Sequence, residues 1–260
     1  MMRGLWTAAT GMACQQTNID VVANNLANVN TNGFKKSRVN FQDLMYQNIR
    51  TAGAATASGG QLASGIQIGM GAKVVAVEKV FLQGDYSQTK NQLDMAIEGK
   101  GFFKLINNNR EVYTRSGAFK MDKDGYICDS QGNKLQPEFA VPAQTVTITI
   151  DSGGTLVASD SGGGELGNVQ IQLFNFSNPA GLQSIGQNLF VPSGASGDPV
   201  QGNPGTDQFG TISQGFLEMS NVDVVEEMIN MIVAQRAYEV GSKVIKAGDE
   251  MLQMANNISR

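Results

Sequence analysis

The sequence predicts an α+β protein: long N- and C-terminal helices paired as a coiled coil, a central β-rich domain, and an extended Gly/Ala/Ser arm. Three observations predict it. Apolar residues recur at heptad spacing at both ends of the 260-residue chain. Between the ends the apolar period falls to two, the period of strands. One internal stretch, Thr51–Ala72, is uncharged and built mainly of Ala, Gly, Ser and Thr.

The first helix is expected from about Leu5 to Val29. Leu5, Met12, Ile19 and Leu26 form one heptad set, and Ala8, Gln15, Val22 and Val29 the other, with Gln15 as a polar break. Such a helix is about 40 Å long, and Asn32-Gly33 suits a left-handed stop after it. Only Arg3 and Asp20 carry charge before Lys35. The polar face is instead made of Gln15, Gln16, Thr17, Asn18, Asn24, Asn25 and Asn28. Asn is a poorer helix former than Lys or Glu. An uncharged amide face therefore suits contact with other subunits or an enclosed aqueous space; a helix packed on its own domain is the other reading.

The Thr51–Ala72 stretch is long for a loop inside a compact domain. Its composition fits a disordered linker or an arm that orders against neighbouring subunits. Strands are expected at Val74–Leu82, Phe102–Ile106, Glu111–Thr114, Thr145–Ile150 and around Val169, Ile171 and Leu173. A hairpin is expected where Lys123-Asp124-Gly125 joins Phe119–Met121 to Tyr126–Cys128. Ser193–Gly210 reads as an exposed Gly-rich connection.

The second helix is expected to be capped by Ser220-Asn221, with Asp223, Glu226 and Glu227 complementing the helix dipole. Its apolar positions are Val222, Val225, Ile229, Val233, Ala237, Val240, Val244, Ala247, Met251, Met254 and Ile258. Three successive steps of four make a stutter, and the heptad is regular from Val233 onward. Gly241 and Gly248 interrupt it, each costing about 1 kcal/mol relative to Ala; small residues there fit a close neighbour and a tolerated weakness equally. The expected division is residues 1–32 with 219–260 as paired helices, 33–93 as linking segment and arm, and 94–218 as the β-rich domain.

Composition narrows the chemistry. There are no histidines, which removes the commonest general base and metal ligand. Net charge is −4, which argues against a nucleic-acid partner. One Trp and five Tyr leave little for a large aromatic-packed core. Cys14 and Cys128 lie in segments of different character and read as separate inert thiols. No run of 18 apolar residues exists, so no membrane insertion is expected. The N-terminus lacks the apolar core of a signal peptide.

No motif supplies a catalytic site. Gly69-Met70-Gly71-Ala72-Lys73 and Gly99-Lys100-Gly101 lack the ending of a phosphate loop. Asp122-Lys123-Asp124-Gly125 breaks calcium-ligand spacing and reads as a turn. Nothing joins Asp151 to Asp160, or Glu98 to Glu111, as a carboxylate pair. The chain is expected to be no enzyme and to need no cofactor or metal. A polymerising structural protein and a stand-alone coiled-coil scaffold or adhesin with a β head both fit these observations.

Three stretches carry a resemblance. Asn18–Lys36 (NIDVVANNLANVNTNGFKK) is similar to the N-terminal signature of bacterial flagellar axial proteins, the rod and hook family. The motif residues are Asn24, Asn25, Leu26, Ala27, Asn28, Thr31, Gly33 and Phe34. Ser220–Ile245 resembles the same family's C-terminal helix. Glu98–Leu105 and Tyr113–Ile127 resemble its β domain. The opening Leu5–Met12, the length and the arm from about Tyr46 to Gly71 resemble the distal-rod branch; a proximal-rod member shares the C-terminal motif.

The resemblance implies a subunit of a hollow helical tube. The tube crosses the periplasm within the flagellar basal body, carries torque and encloses an export channel. Its implied partners are further copies of the chain, proximal rod proteins, hook protein, the surrounding P and L ring proteins, a rod-capping protein and the flagellar type III export apparatus, which needs no cleaved signal peptide. Leu5, Met12, Ile19, Val22, Leu26, Val29, Val225, Ile229, Val233, Val240, Val244, Met251 and Met254 are the expected subunit-interface residues. Gln16, Asn24, Asn25 and Asn28 are the expected lumen-facing amides.

Overall fold

The computed structural model describes residues 2–51, 63–206 and 208–258. Two long helices stand at the ends, α1 (Met2–Ala27) and α2 (Val224–Ile258), with all the strands between them. The contacts divide the chain into two units. One holds residues 1–26, 37–78 and 224–260, the other residues 27–36 and 79–223. The expected linking segment 33–93 is therefore shared between the units rather than forming a layer of its own.

In the first unit, Ser37–Asp43 pairs with Ala72–Lys79, and Tyr46–Arg50 pairs antiparallel with Ile66–Gly69. The ribbon runs along α1. Ser37 meets Asn25 near one end of the helix, and Gly71 lies against Thr7 and Thr10 near the other. That helix span, about 1.5 Å per residue, is matched by a strand of seven residues at about 3.3 Å each. Part of the expected arm, Ile66–Gly69, is thus a strand, because Ile66 and Ile68 alternate with polar neighbours. The rest of the Gly/Ala/Ser segment, residues 52–62, lies outside the described residues.

The second unit is built on a seven-stranded sheet. Its order is Gln183–Gly186, Leu189–Val191, Arg110–Thr114, Phe103–Asn107, Lys134–Leu135, Ile127–Cys128 and Lys120–Met121. A three-stranded sheet of Thr147–Ile150, Thr155–Ser159 and Glu165–Gln170 packs beside it. Adjacent residues of a strand point to opposite faces, and here both faces are covered. Val112 joins a core of Met95, Phe103, Leu105, Phe119, Leu156 and Leu173. Its neighbour Tyr113 joins a second cluster of Phe102, Phe174, Phe176, Leu182 and Phe190. The rings of that cluster meet edge to face, Tyr113 and Phe176 at 4.9 Å. An aromatic core therefore exists; the phenylalanines supply it where Trp and Tyr are few.

The expected hairpin is present. Gly125 is left-handed (φ 81°), and its N–H donates to the Asp122 carbonyl at 2.9 Å. Both cysteines are buried free thiols, and burial followed by nearby Asp122 and Asp129 pushes the Cys128 thiol up.

Three expectations are corrected. Residues 193–210 are not a plain exposed loop: Val200–Gly202 pairs with Leu173–Asn175, and Ser196 is fully buried with its hydroxyl donating to the Ser193 carbonyl. The first helix ends at Ala27, and a turn in which Thr31 N–H donates to the Asn28 carbonyl separates it from left-handed Gly33. Helix α2 starts at Val224, so Ser220-Asn221 is no cap. Asn221 instead accepts from Lys36 N–H and donates to the carbonyls of Val80 and Leu82. A side chain that satisfies distant backbone looks like a cap in sequence because the same donors and acceptors serve both roles.

Candidate functional site

The two helices meet along small residues. A Cβ on Gly241 would lie 2.7 Å from Met12 Cγ, and one on Gly248 would lie 2.5 Å from Leu5 Cδ2. Ala234 is 1% exposed and Glu227 is 4% exposed. Glu227, Ala234, Gly241 and Gly248 are spaced by seven, with half-buried Met231 and Ile245 between them. This is the heptad that faces α1. Its signal in the sequence is the small residues Ala234, Gly241 and Gly248, and at the two glycines the close neighbour is α1.

The large apolar heptad lies elsewhere. Val225, Ile229, Val233, Val240, Val244, Met251 and Met254 are all exposed, from 46% at Met251 to 66% at Val225, and Ile232 is exposed among them. On α1 the expected positions behave differently. Val22 is buried and Leu5, Met12, Ile19 and Leu26 are half-buried, as is Val29 in the turn beyond the helix. Heptad spacing marked both apolar sets as subunit-interface residues. The α1 set is largely covered within the chain, whereas the close approach at Gly241 and Gly248 leaves the α2 set facing outward.

Of the four amides expected to face a lumen, Asn25 does not. It is 1% exposed. Its Nδ2 donates to the Ser37 carbonyl at 2.9 Å and to Glu227 Oε2 at 3.2 Å, and its Oδ1 accepts from Ser37 N–H at 2.8 Å. One carboxamide thus ties α1 to the first strand and to α2. Gln16 and Asn24 are exposed, while Asn28 is half-buried and accepts from the Thr31 hydroxyl at 3.2 Å.

The remaining motif residues lead into a buried charge cluster. Gly33 N–H donates to the Glu218 carbonyl at 2.8 Å. A Cβ there would lie 2.6 Å from Ser116 N, so only glycine fits. Phe34 is buried with Lys79 Nζ 4.3 Å from its ring centroid. Lys35 Nζ donates to Glu218 Oε1 and to the Leu82 carbonyl, both at 2.6 Å. Arg115 Nε donates to Glu218 Oε2 at 2.6 Å, and its terminal nitrogens donate to the carbonyls of Gly101, Ile97 and Gly99. Gly84 N–H adds a third donor to the carboxylate.

Lys35 and Glu218 side chains are 2% and 0% exposed, and Arg115 is 6% exposed. Two cations share one anion, and burial outweighs the attraction of Glu218, holding the Lys35 ammonium below the ordinary lysine range. The cluster joins the turn after α1, the strand Phe216–Glu218 and the loop after Arg110–Thr114, all within the second unit. Sequence reasoning missed it: Lys35 and Glu218 are 183 residues apart, and a single Lys or Glu carries no sign of burial.

Lys35 and Arg115 also line a cavity of about 190 Å³ with Phe81, Phe102 and Phe176. Among the described residues no group of His, Cys, Asp and Glu could hold a metal ion, and no helix is long and apolar enough to cross a membrane. Glu98 and Glu111 serve separate partners, Ser213 and Lys104.

Comparison with known proteins agrees. Residues 5–35 match the family model described as flagella basal body rod protein. Residues 96–158 match the flagellar hook protein FlgE/F/G D1 domain, and residues 213–258 the flagellar basal body rod FlgEFG protein C-terminal region. The chain is 46% identical to the flagellar basal-body rod protein FlgG of Borreliella burgdorferi, over all of both chains. It is 38% identical to FlgG of Bacillus subtilis, again over all of both. Against the flagellar hook-basal body complex protein FlhP of the same bacterium identity is 31%, over 99% of this chain and all of FlhP.

The chain belongs to the flagellar basal-body rod protein family, a class of structural subunits and not of enzymes. Within it the likeness is to the FlgG type, the distal rod subunit.

Proposed function

We propose that this chain polymerises into the hollow helical distal rod of the flagellum, passing torque from motor to hook and enclosing the export channel. The observation that carries the reading is the outer face of α2, where seven large apolar side chains spaced along a 35-residue helix stand exposed. Full burial of such a side chain is worth about 1.5–3 kcal/mol, and a continuous exposed stripe marks an interaction surface. Neighbouring copies packed helix to helix cover it. The contacts of Leu5 with Gly248 and Met12 with Gly241 support a coiled-coil pairing of α1 and α2.

Exposed Gln16 and Asn24 remain the amides suited to a channel lining, and the Thr51–Ala72 arm suits packing against neighbouring copies that stiffens the tube. The wider set of partners follows the family: proximal rod proteins, hook protein, P and L ring proteins, a rod cap and the type III export apparatus.

The test is Val233→Asp with Val240→Asp. Both sites are exposed, so the monomer should keep its stability within about 0.5 kcal/mol. Assembly should fail: cells carrying the variant should have basal bodies truncated before the hook and should not swim. A full-length rod with normal motility would refute the assignment of this face. Electron microscopy of the concentrated wild-type protein should show helical tubes; discrete dimers or trimers would favour a stand-alone scaffold.

A further inference from the structure

Asn32-Gly33 is the only Asn-Gly pair in the sequence. It is also the pair most prone to spontaneous deamidation in a flexible chain, because glycine has no side chain to hinder its own backbone nitrogen. In the reaction the Gly33 nitrogen attacks Asn32 Cγ. A new N–Cγ bond forms, the Cγ–Nδ2 bond breaks, and ammonia leaves with the amide proton. Water then opens the resulting succinimide at either carbonyl, giving aspartate or isoaspartate.

The fold blocks the first step. Gly33 N–H, the nucleophile, donates to the Glu218 carbonyl at 2.8 Å. Gly33 is buried and left-handed at φ 71°, wedged against the backbone of Arg115 and Ser116. The Asn32 carbonyl is held by Asn188 Nδ2 at 2.9 Å. The Asn32 side chain makes no hydrogen bond among the described residues, and Asn32 is only half-buried. The block therefore lies at the attacking nitrogen and the fixed backbone, not at the carboxamide.

We infer that Asn32 is a spontaneous deamidation site that folding switches off, and that a chain converted to isoaspartate there before folding cannot close. Isoaspartate lengthens the backbone by one methylene immediately before Gly33. The extra atom must shift Gly33, and Gly33 is closely packed: a Cβ added on its Cα would already lie 2.6 Å from Ser116 N and 2.9 Å from Arg115 C. Gly33 would be displaced from the Glu218 carbonyl, and Lys35, two residues on, from its carboxylate. Aspartate keeps the backbone length and leaves the closure intact. The site therefore records how long the chain has spent unfolded, and the fold rejects one of its two products. This inference is independent of what the chain assembles into.

The experiment incubates the full-length protein at mildly alkaline pH, native in one arm and in urea above its unfolding midpoint in the other. Electron-transfer fragmentation mass spectrometry resolves asparagine, aspartate and isoaspartate at position 32. The native rate should be at least about tenfold below the unfolded rate; equal rates would overturn the block. Asn188→Gly removes the donor to the Asn32 carbonyl while tolerating the left-handed backbone at that position (φ 58°). It should raise the native rate severalfold, and an unchanged rate would overturn the role of the fixed backbone. The aged, unfolded chain is then refolded and the compact fraction isolated. At position 32 that fraction should be depleted in isoaspartate relative to aspartate. Equal recovery of the two would overturn the claim that the closure rejects isoaspartate.

Discussion

Replacing Glu218 by Gln tests the buried cluster that closes the second unit. The substitution keeps shape and volume and removes one charge. The carboxylate accepts from Lys35 Nζ and Arg115 Nε at 2.6 Å each and from Gly84 N–H at 3.1 Å. A carboxamide must turn its NH₂ toward one of the two cations, so a donor meets a donor. It also leaves two buried cations with no anion. Removing one partner of a buried pair costs about 3–5 kcal/mol, because the remaining charge is stranded out of water. For a protein of this size, about 2–4 °C of Tm per kcal/mol converts that into a fall of roughly 6–20 °C. Near-ultraviolet circular dichroism reports the unit through Tyr113, which is fully buried within it. Lys35→Met together with Glu218→Gln should lose less than the sum of the single changes, since the pair is removed together. A loss below about 1 kcal/mol in Glu218→Gln alone would refute the reasoning, because that is the range of a solvated surface pair.

Asn25→Ala should cost about 2–3 kcal/mol, by leaving Ser37 N–H and Glu227 without their buried partner; Gln16→Ala, one helix face away and exposed, should stay within about 0.5 kcal/mol. Urea denaturation followed through helical circular dichroism separates the two. Tyr113 gives a pH prediction. Burial first, then Glu111, pushes its phenol from the usual 10 up to about 12. The unfolded chain therefore loses that proton first, and Tyr113 contributes stability that is complete below pH 10 and is lost as pH rises toward 12. Two pKa units correspond to about 2–3 kcal/mol. Tyr113→Phe should flatten the stability curve in that window. The lowered Lys35 pKa acts in the opposite sense, its contribution growing as pH rises toward 10.5, but it is common to both proteins and cancels in the difference.

Local patterns carried what they could. The two terminal helices, though not their exact ends, the hairpin at Asp122–Gly125 and the strand pair Phe103–Asn107 with Arg110–Thr114 follow from periodicity and turn chemistry, which act over a few residues. The site was legible as an apolar stripe on α2, at Val225, Ile229, Val233, Val240, Val244, Met251 and Met254. Its direction was not. Heptad spacing shows that a face exists, while which face meets α1 depends on how near the two backbones come.

Two long terminal helices, a β-rich middle with no catalytic equipment, and motifs similar to one family were all readable from the order of residues. It took the folded chain to show that Gly241 and Gly248 let α1 approach and so turn the large apolar residues outward. The same holds for Asn25, a buried tie and not a channel lining, and for the meeting of Lys35, Arg115 and Glu218. The physical reason is common to all three. Each depends on contact between residues distant in the chain, 202 residues for Asn25 with Glu227 and more for Leu5 with Gly248, and burial changes what an amide, a glycine or a lysine does without changing how it reads.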